Sequence, residues 1–209
     1  MDAYQLIPNI SEFIAAILAT IFFRKYSNSN ERYFILFLWI TFLVDAIGLY
    51  SRLEDISISW LYESYTFISF MFYFYWYYTI LRFREFKRLA IIFASLFTII
   101  TILTYTINSL SGKGYAFVTG SVCLLLLTFF HFYQLLKSDE VLVVKHKLSF
   151  WISTALLLFY IGIIPLMLLS KYLGFKAMSY NLVLIILNII LYGCYSIGFI
   201  WTKKKYNHF

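Results

Sequence analysis

Charge is scarce in this chain. Only 13% of its 209 residues are Asp, Glu, Lys or Arg, 62% are apolar, and the mean hydropathy is +0.80. A soluble domain holds about a quarter charged and about half apolar residues, so a water-soluble fold is excluded and an integral membrane protein is expected. Two prolines and eight glycines leave no linker or low-complexity segment. The two cysteines, Cys123 and Cys194, lie within apolar runs, where a thiol packs as a small hydrophobe and says nothing about redox compartment. Reaction motifs are missing too: there is no GxSxG elbow, HExxH helix or P-loop. Zinc chemistry in a membrane needs several ligands converging on the metal, whereas Asp45 and His131 are the only deeply placed candidates and differ in depth. No catalytic residue, metal or cofactor is therefore expected. The last apolar run has no lysine before Lys203, which excludes a retinal Schiff base of the opsin type.

What is abundant is apolar runs of membrane-spanning length. At 1.5 Å per residue, about 20 residues cross a hydrocarbon core of about 30 Å. Seven such runs are read, over residues 7–24, 33–51, 60–81, 89–107, 115–136, 148–170 and 180–201. The expected fold is all-α, one seven-helix transmembrane bundle with no room for a separate soluble domain. The N-terminal stretch lacks a basic leader and runs from its apolar core straight into Arg24 and Lys25, so it reads as the first span rather than a cleavable signal. Residues 82–88 read as a basic connection and 108–114 as a short turn. Ser95, Thr98, Thr101 and Thr104 form a hydroxyl stripe on the fourth span, read as a packing face in preference to a polar pathway. Pro165 is expected to bend the sixth span.

Lysine and arginine sort by loop. Only Arg52, Lys113, Lys171 and Lys176 fall on one side of the seven-span arrangement, and the other thirteen of the 17 fall on the opposite side. The positive-inside rule then puts the N-terminus outside and the C-terminus in the cytoplasm. Because the basic residues sit at helix ends and form no single stripe, the net charge of +7 does not point to nucleic acid.

The polar residues within the spans are the candidates for function. Glu12 and Glu63 lie near the outer ends of the first and third spans, and Asp45 lies about 9 Å below the outer surface of the second. Arg52, seven residues after Asp45, projects from nearly the same face and has either Asp45 or Glu63 in reach. One reading is an outward-facing pocket of Asp45, Glu63, Arg52, Glu12, Tyr65 and Tyr73. The other leaves Glu12 and Glu63 in the wet interface and has Arg52 neutralise Asp45. A charge in hydrocarbon costs about 2.5–3.5 kcal/mol, which makes Asp45 the most informative of these residues. His131, flanked by Phe129, Phe130, Phe132 and Tyr133, reads as a packed, hydrogen-bonded core residue or a proton-sensitive one. Asn188 reads as a cross-helix hydrogen-bonding residue.

The YTF of Tyr65, Thr66 and Phe67, the FWI of Phe150, Trp151 and Ile152, the Phe159-Tyr160 pair, and LNIILYG with IGFIW in the last span resemble a group of small, uncharacterised bacterial seven-helix inner-membrane proteins. The resemblance implies a companion of a separately encoded signalling protein, and it carries no catalytic residues. The expected function is a module that senses or binds a small molecule or lipid and signals through another protein at the cytoplasmic face. The alternative is a small-solute or proton-coupled transporter, with Asp45 as the coupling acid. No internal repeat relates spans one to three with spans five to seven, which such transporters often display. The bilayer itself is the remaining expected partner.

Overall fold

A computed structural model describes residues 6–54, 56–106, 110–138, 141–169 and 177–207. Asn108, Lys171, Lys176 and the side chain of Lys113 lie outside the described residues. Among the described residues seven α-helices follow one another: α1 Ile7–Ile21, α2 Phe34–Leu53, α3 Ser59–Ile80, α4 Arg84–Thr106, α5 Leu110–Leu136, α6 Leu148–Leu169 and α7 Ala177–Trp201. Helix α6 continues through Pro165.

Five helices are long and apolar enough to cross a membrane, those over Asn30–Leu53, Arg84–Thr106, Gly114–Leu136, Leu148–Leu168 and Ser179–Trp201. Helix α1 is 15 residues, about 22 Å at 1.5 Å per residue, and is followed by a 3₁₀ turn, Phe23–Lys25. Helix α3 has the length, 22 residues, but six tyrosines lower its hydropathy.

Two helix starts depart from expectation. Helix α4 begins at Arg84, so Glu85, Lys87 and Arg88 form its first turns and do not belong to a loop. These are good helix formers, and Glu85 sits where the helix dipole favours an acid. Helix α5 likewise begins at Leu110, inside the stretch read as a turn.

Each helix packs on the next in sequence, α7 closes on α1, and α3 reaches across to α5. Successive helices alternate in direction. Pro8, Arg52, Tyr62 and Asn181 meet at one end, whereas Lys25, Lys145 and Lys203 meet at the other. These are called below the acidic and the basic end.

Helix α3 forms much of the core. Phe70, Tyr73, Phe74, Trp76, Tyr77 and Ile80 are buried on it. Phe72 stacks on Phe37 of α2 at 4.5 Å, and Tyr73 Oη lies 3.1 Å from Tyr195 Oη of α7. Each aromatic pair adds about 0.5–1.5 kcal/mol beyond area burial, which explains why α3 is so rich in rings. Helix α1 instead buries Ala15, Ala16 and Ala19, small side chains that let its backbone approach α2 and α7 closely.

Helix α4 is peripheral, with Ala90 and Phe97 its buried residues. Three threonine hydroxyls of the stripe bond within the helix: Thr98 donates to Ala94 O, Thr101 to Phe97 O and Thr104 to Thr101 O, each at 2.8 Å. The stripe faces α3, where two cavities interrupt the seam.

Candidate functional site

The face of α2 that carries Thr41, Asp45, Gly48 and Arg52 repeats every three or four residues, which aims all four at one side. That side meets α1, α3 and α7. Asp45 and Glu12 of α1 lie side by side, with Tyr192 of α7 next to Glu12, whose Oε2 is buried with no hydrogen-bond partner among the described residues. Arg52 supplies the positive charge nearest Asp45.

Above the acids lies a cavity of about 270 Å³ at the acidic end. Asp45, Arg52, Tyr62, Asn9, Asn181 and Asn188 give its lining both hydrogen-bond donors and acceptors, and Pro8, Leu49, Leu184 and Ile185 complete the wall. Tyr65 approaches from α3. Its hydroxyl lies 2.6 Å from Thr41 Oγ1, and because Thr41 donates to Phe37 O at 2.9 Å, Tyr65 is the donor. Gly48 makes room for Tyr62, because a Cβ at position 48 would overlap the tyrosine hydroxyl.

Of the six expected pocket residues, the structure brings Asp45, Glu12, Arg52 and Tyr65 together, with Asp45 and Arg52 in the cavity wall and Glu12 and Tyr65 beneath it. Glu12 is 2% exposed, so the reading that left it in a wet interface is corrected. Glu63 does not join them. It turns to α4, accepts a hydrogen bond from Tyr105 Oη at 2.7 Å and lines a separate cavity of about 280 Å³. The reason is helical geometry: residues two apart point about 200° from each other, so Glu63 and Tyr65 cannot share a face. Tyr73 is buried in the aromatic core against Tyr195 and Phe37 and lines none of the described cavities. Asn188 reaches the cavity, but its amide donates to Leu184 O of its own helix at 2.8 Å, which corrects the expected cross-helix bond.

Sequence reasoning passed over Asn9, Tyr62, Asn181 and Tyr192. Asn9 stands three residues before Glu12, and Tyr62 three before Tyr65. The i, i+3 spacing was the available signal for both.

Toward the basic end lies a second polar group. His131 is 2% exposed, and its Nδ1 lies 2.9 Å from Ser153 Oγ. Ser153 also accepts from Tyr77 Oη at 3.2 Å, and Tyr77 Oη is 2.7 Å from Thr128 Oγ1. The histidine thus occupies the packed, hydrogen-bonded role, joining α3, α5 and α6. Nearby, Glu31 is 0% exposed and Lys147 2% exposed, with Lys147 supplying an attractive charge to the carboxylate. Both lie in connections between the expected spans. The short connections fold them inward: Asn30–Tyr33 is a 3₁₀ turn at the start of α2, and Val141–His146 is another leading into α6.

The C-terminal segment closes this end. Asn207 Oδ1 accepts from Leu148 N at 3.1 Å, and its Nδ2 donates to Lys25 O at 3.3 Å and to Thr202 Oγ1. Lys203 N donates to His146 O at 3.1 Å. Lys25 Nζ donates to Ile200 O at 2.7 Å, and partial burial pulls its ammonium below the ordinary lysine range. The lysines at 203–205, read as a topological tail, are therefore held in an ordered cap.

In comparisons with known proteins, the chain matches no family model, no curated protein and no solved structure.

Proposed function

We propose that this chain is an integral membrane protein of a bacterial inner membrane, with its basic end in the cytoplasm, and that it binds a small polar solute in the cavity over Asp45 and Glu12. Occupancy of that site is read by a separate protein at the cytoplasmic face. The membrane reading is supported by the five long apolar helices and by the large apolar side chains that point outward along α2 and α4, such as Leu36, Leu43, Ile92 and Ile99. The orientation rests on the lysine and arginine asymmetry.

The observation that carries the binding reading is the meeting of Glu12 and Asp45 beneath a polar-lined cavity. Acids inside an apolar bundle are expensive, and they mark sites of use more often than sites of packing. At about 270 Å³, the cavity lies just below the usual range of ligand pockets, about 300–1,000 Å³, so the solute is small. Asp45 and Arg52 offer opposite charges, and three asparagines offer both donors and acceptors, which fits a solute bearing polar groups of both kinds.

A specific observation also favours proton-coupled transport as a second reading. Two acids side by side at a cavity supply the counter-charge that a proton or cation carried with the solute would need. Native mass spectrometry of the detergent-extracted protein, with and without Asp45→Asn, tests the first reading. A small ligand or companion protein retained by the wild type supports it, with the ligand lost in the variant. A solute gradient dissipated by wild-type liposomes and not by Asp45→Asn liposomes would move the function to transport. Retention of neither ligand nor companion, with no flux, would remove both readings.

A further inference from the structure

The basic end contains a feature that the solute site does not use. Between the 3₁₀ turn at Phe23–Lys25, the segment entering α6 and the residues after α7 lies an open bowl of about 580 Å³. Lys25, Lys145, His146, Lys203 and Lys204 line it together with Thr202, over a wall of Ile200 and Trp201. None of its described lining residues is acidic. Cations gathered in a concavity with low-dielectric walls focus the field and draw anions in.

The bowl is built on a fixed frame. Thr202 Oγ1 donates to His146 O at 3.2 Å, and the Lys203 amide donates to the same carbonyl. Asn207 clamps the tail to Leu148 and Lys25. Lys25 and His146 occupy the last carbonyls of α7, Ile200 O and Trp201 O, so the negative end of that helix is already capped. Lys145, Lys203 and Lys204 remain exposed on the rim. Trp151 and Trp201 meet edge to face at 5.5 Å beside it, a pairing suited to the level where acyl chains give way to headgroups.

We infer that this bowl binds a phosphate group, and that the source is the headgroup of an anionic phospholipid in the leaflet facing the basic end. The shared chemistry is a phosphate anion held by the ammonium groups of the rim, Lys145, Lys203 and Lys204. The choice of a lipid source rests on the membrane reading above; the phosphate site itself does not. Basic pockets at helix ends on the cytoplasmic side are suited to such headgroups, each lysine near the surface contributing about 1 kcal/mol.

Three variants test the inference on the full chain. K145Q/K203Q/K204Q removes the rim charges, Lys145→Glu reverses one of them, and R84Q/K87Q/R88Q removes three charges from the start of α4 as a control. Delipidated protein in neutral detergent is titrated with phosphatidylglycerol or phosphatidylcholine and followed by native mass spectrometry. In parallel, pyrophosphate is titrated against thermal unfolding. Preferential binding of phosphatidylglycerol, weakened at least about tenfold in the rim triple and in Lys145→Glu but not in the control, supports the lipid source. Saturable stabilisation by pyrophosphate that disappears in the rim triple, with the two lipids bound alike, supports the phosphate site and transfers its source to solution. Equal loss in rim and control variants, or no preference for any phosphate anion, overturns the inference. Carbonate extraction of native membranes separately tests the membrane reading. A chain released by carbonate that still binds pyrophosphate at the rim would retain the phosphate site and lose the lipid source.

Discussion

Glu12 and Asp45 face each other across the α1–α2 interface, two acids side by side within the bundle. The two helices also meet through Phe13 against Trp39 and Phe42, and through a hydrogen bond from Trp39 Nε1 to Thr20 Oγ1 at 3.1 Å. These contacts fix the rotation of α1 about its axis, because a turn of one residue, about 100°, would carry Glu12 out of reach.

Substitution at Glu12 separates shape from charge. Glu12→Gln keeps the shape, removes a charge and offers an amide donor to Asp45, so thermal stability in detergent is expected within about 1 kcal/mol of the wild type. Glu12→Leu leaves Asp45 facing an apolar side chain and is expected to cost about 1–3 kcal/mol. Equal effects in unfolding experiments at one pH would show that the two carboxyls do not interact.

Tyr62 gives a sharper test, because its buried hydroxyl has no hydrogen-bond partner among the described residues. Tyr62→Phe removes an unpaired polar atom and is expected to leave stability unchanged or raise it by up to about 1 kcal/mol. Gly48→Ala pushes a methyl into the same tyrosine and is expected to cost about 1–3 kcal/mol, with part recovered when Tyr62→Leu is added. Additive losses in the double variant would contradict the packing described at this contact.

For the group around His131, a double-mutant cycle is the appropriate measurement. His131→Ala and Ser153→Ala each break the 2.9 Å contact, and their coupling is expected at about 0.5–3 kcal/mol. A coupling of zero would mean that the histidine is held by its aromatic neighbours Trp76 and Tyr77 alone.

Asn207 makes the C-terminal segment a structural part of the basic end. Asn207→Ala removes its bonds to Leu148 N, Lys25 O and Thr202 Oγ1. A loss of about 1–3 kcal/mol is expected, with faster amide exchange at Lys203 and Leu148. Unchanged exchange at Lys203 would show that the cap holds without it.

Much of the helix count was legible because an apolar run of given length is a local property. Start positions were less so. Arg84–Arg88 looked like a loop by hydropathy but is helical by propensity, and hydropathy alone cannot separate an exposed helical turn from a connection. At the site, Asp45 with Arg52 followed from a spacing of seven on one helix. Glu63 was misplaced by grouping acids by depth while ignoring that residues two apart face opposite ways. Glu31 and Lys147 were unreadable, since nothing in a short polar connection says that it folds under the bundle.

By itself, then, the sequence determined an all-α chain with seven apolar runs of helical length, and among the described residues the structure has seven helices, five of them long and apolar enough for a membrane. Composition and run length settle those features residue by residue. Tertiary structure alone decided that Glu12 meets Asp45, that Glu63 turns to Tyr105, that Asn207 ties the tail down and that the lysines of three separate segments converge on one bowl. Each of these depends on how every helix is rotated about its own axis. That rotation is set by the packing of all seven together, which no single stretch of sequence contains.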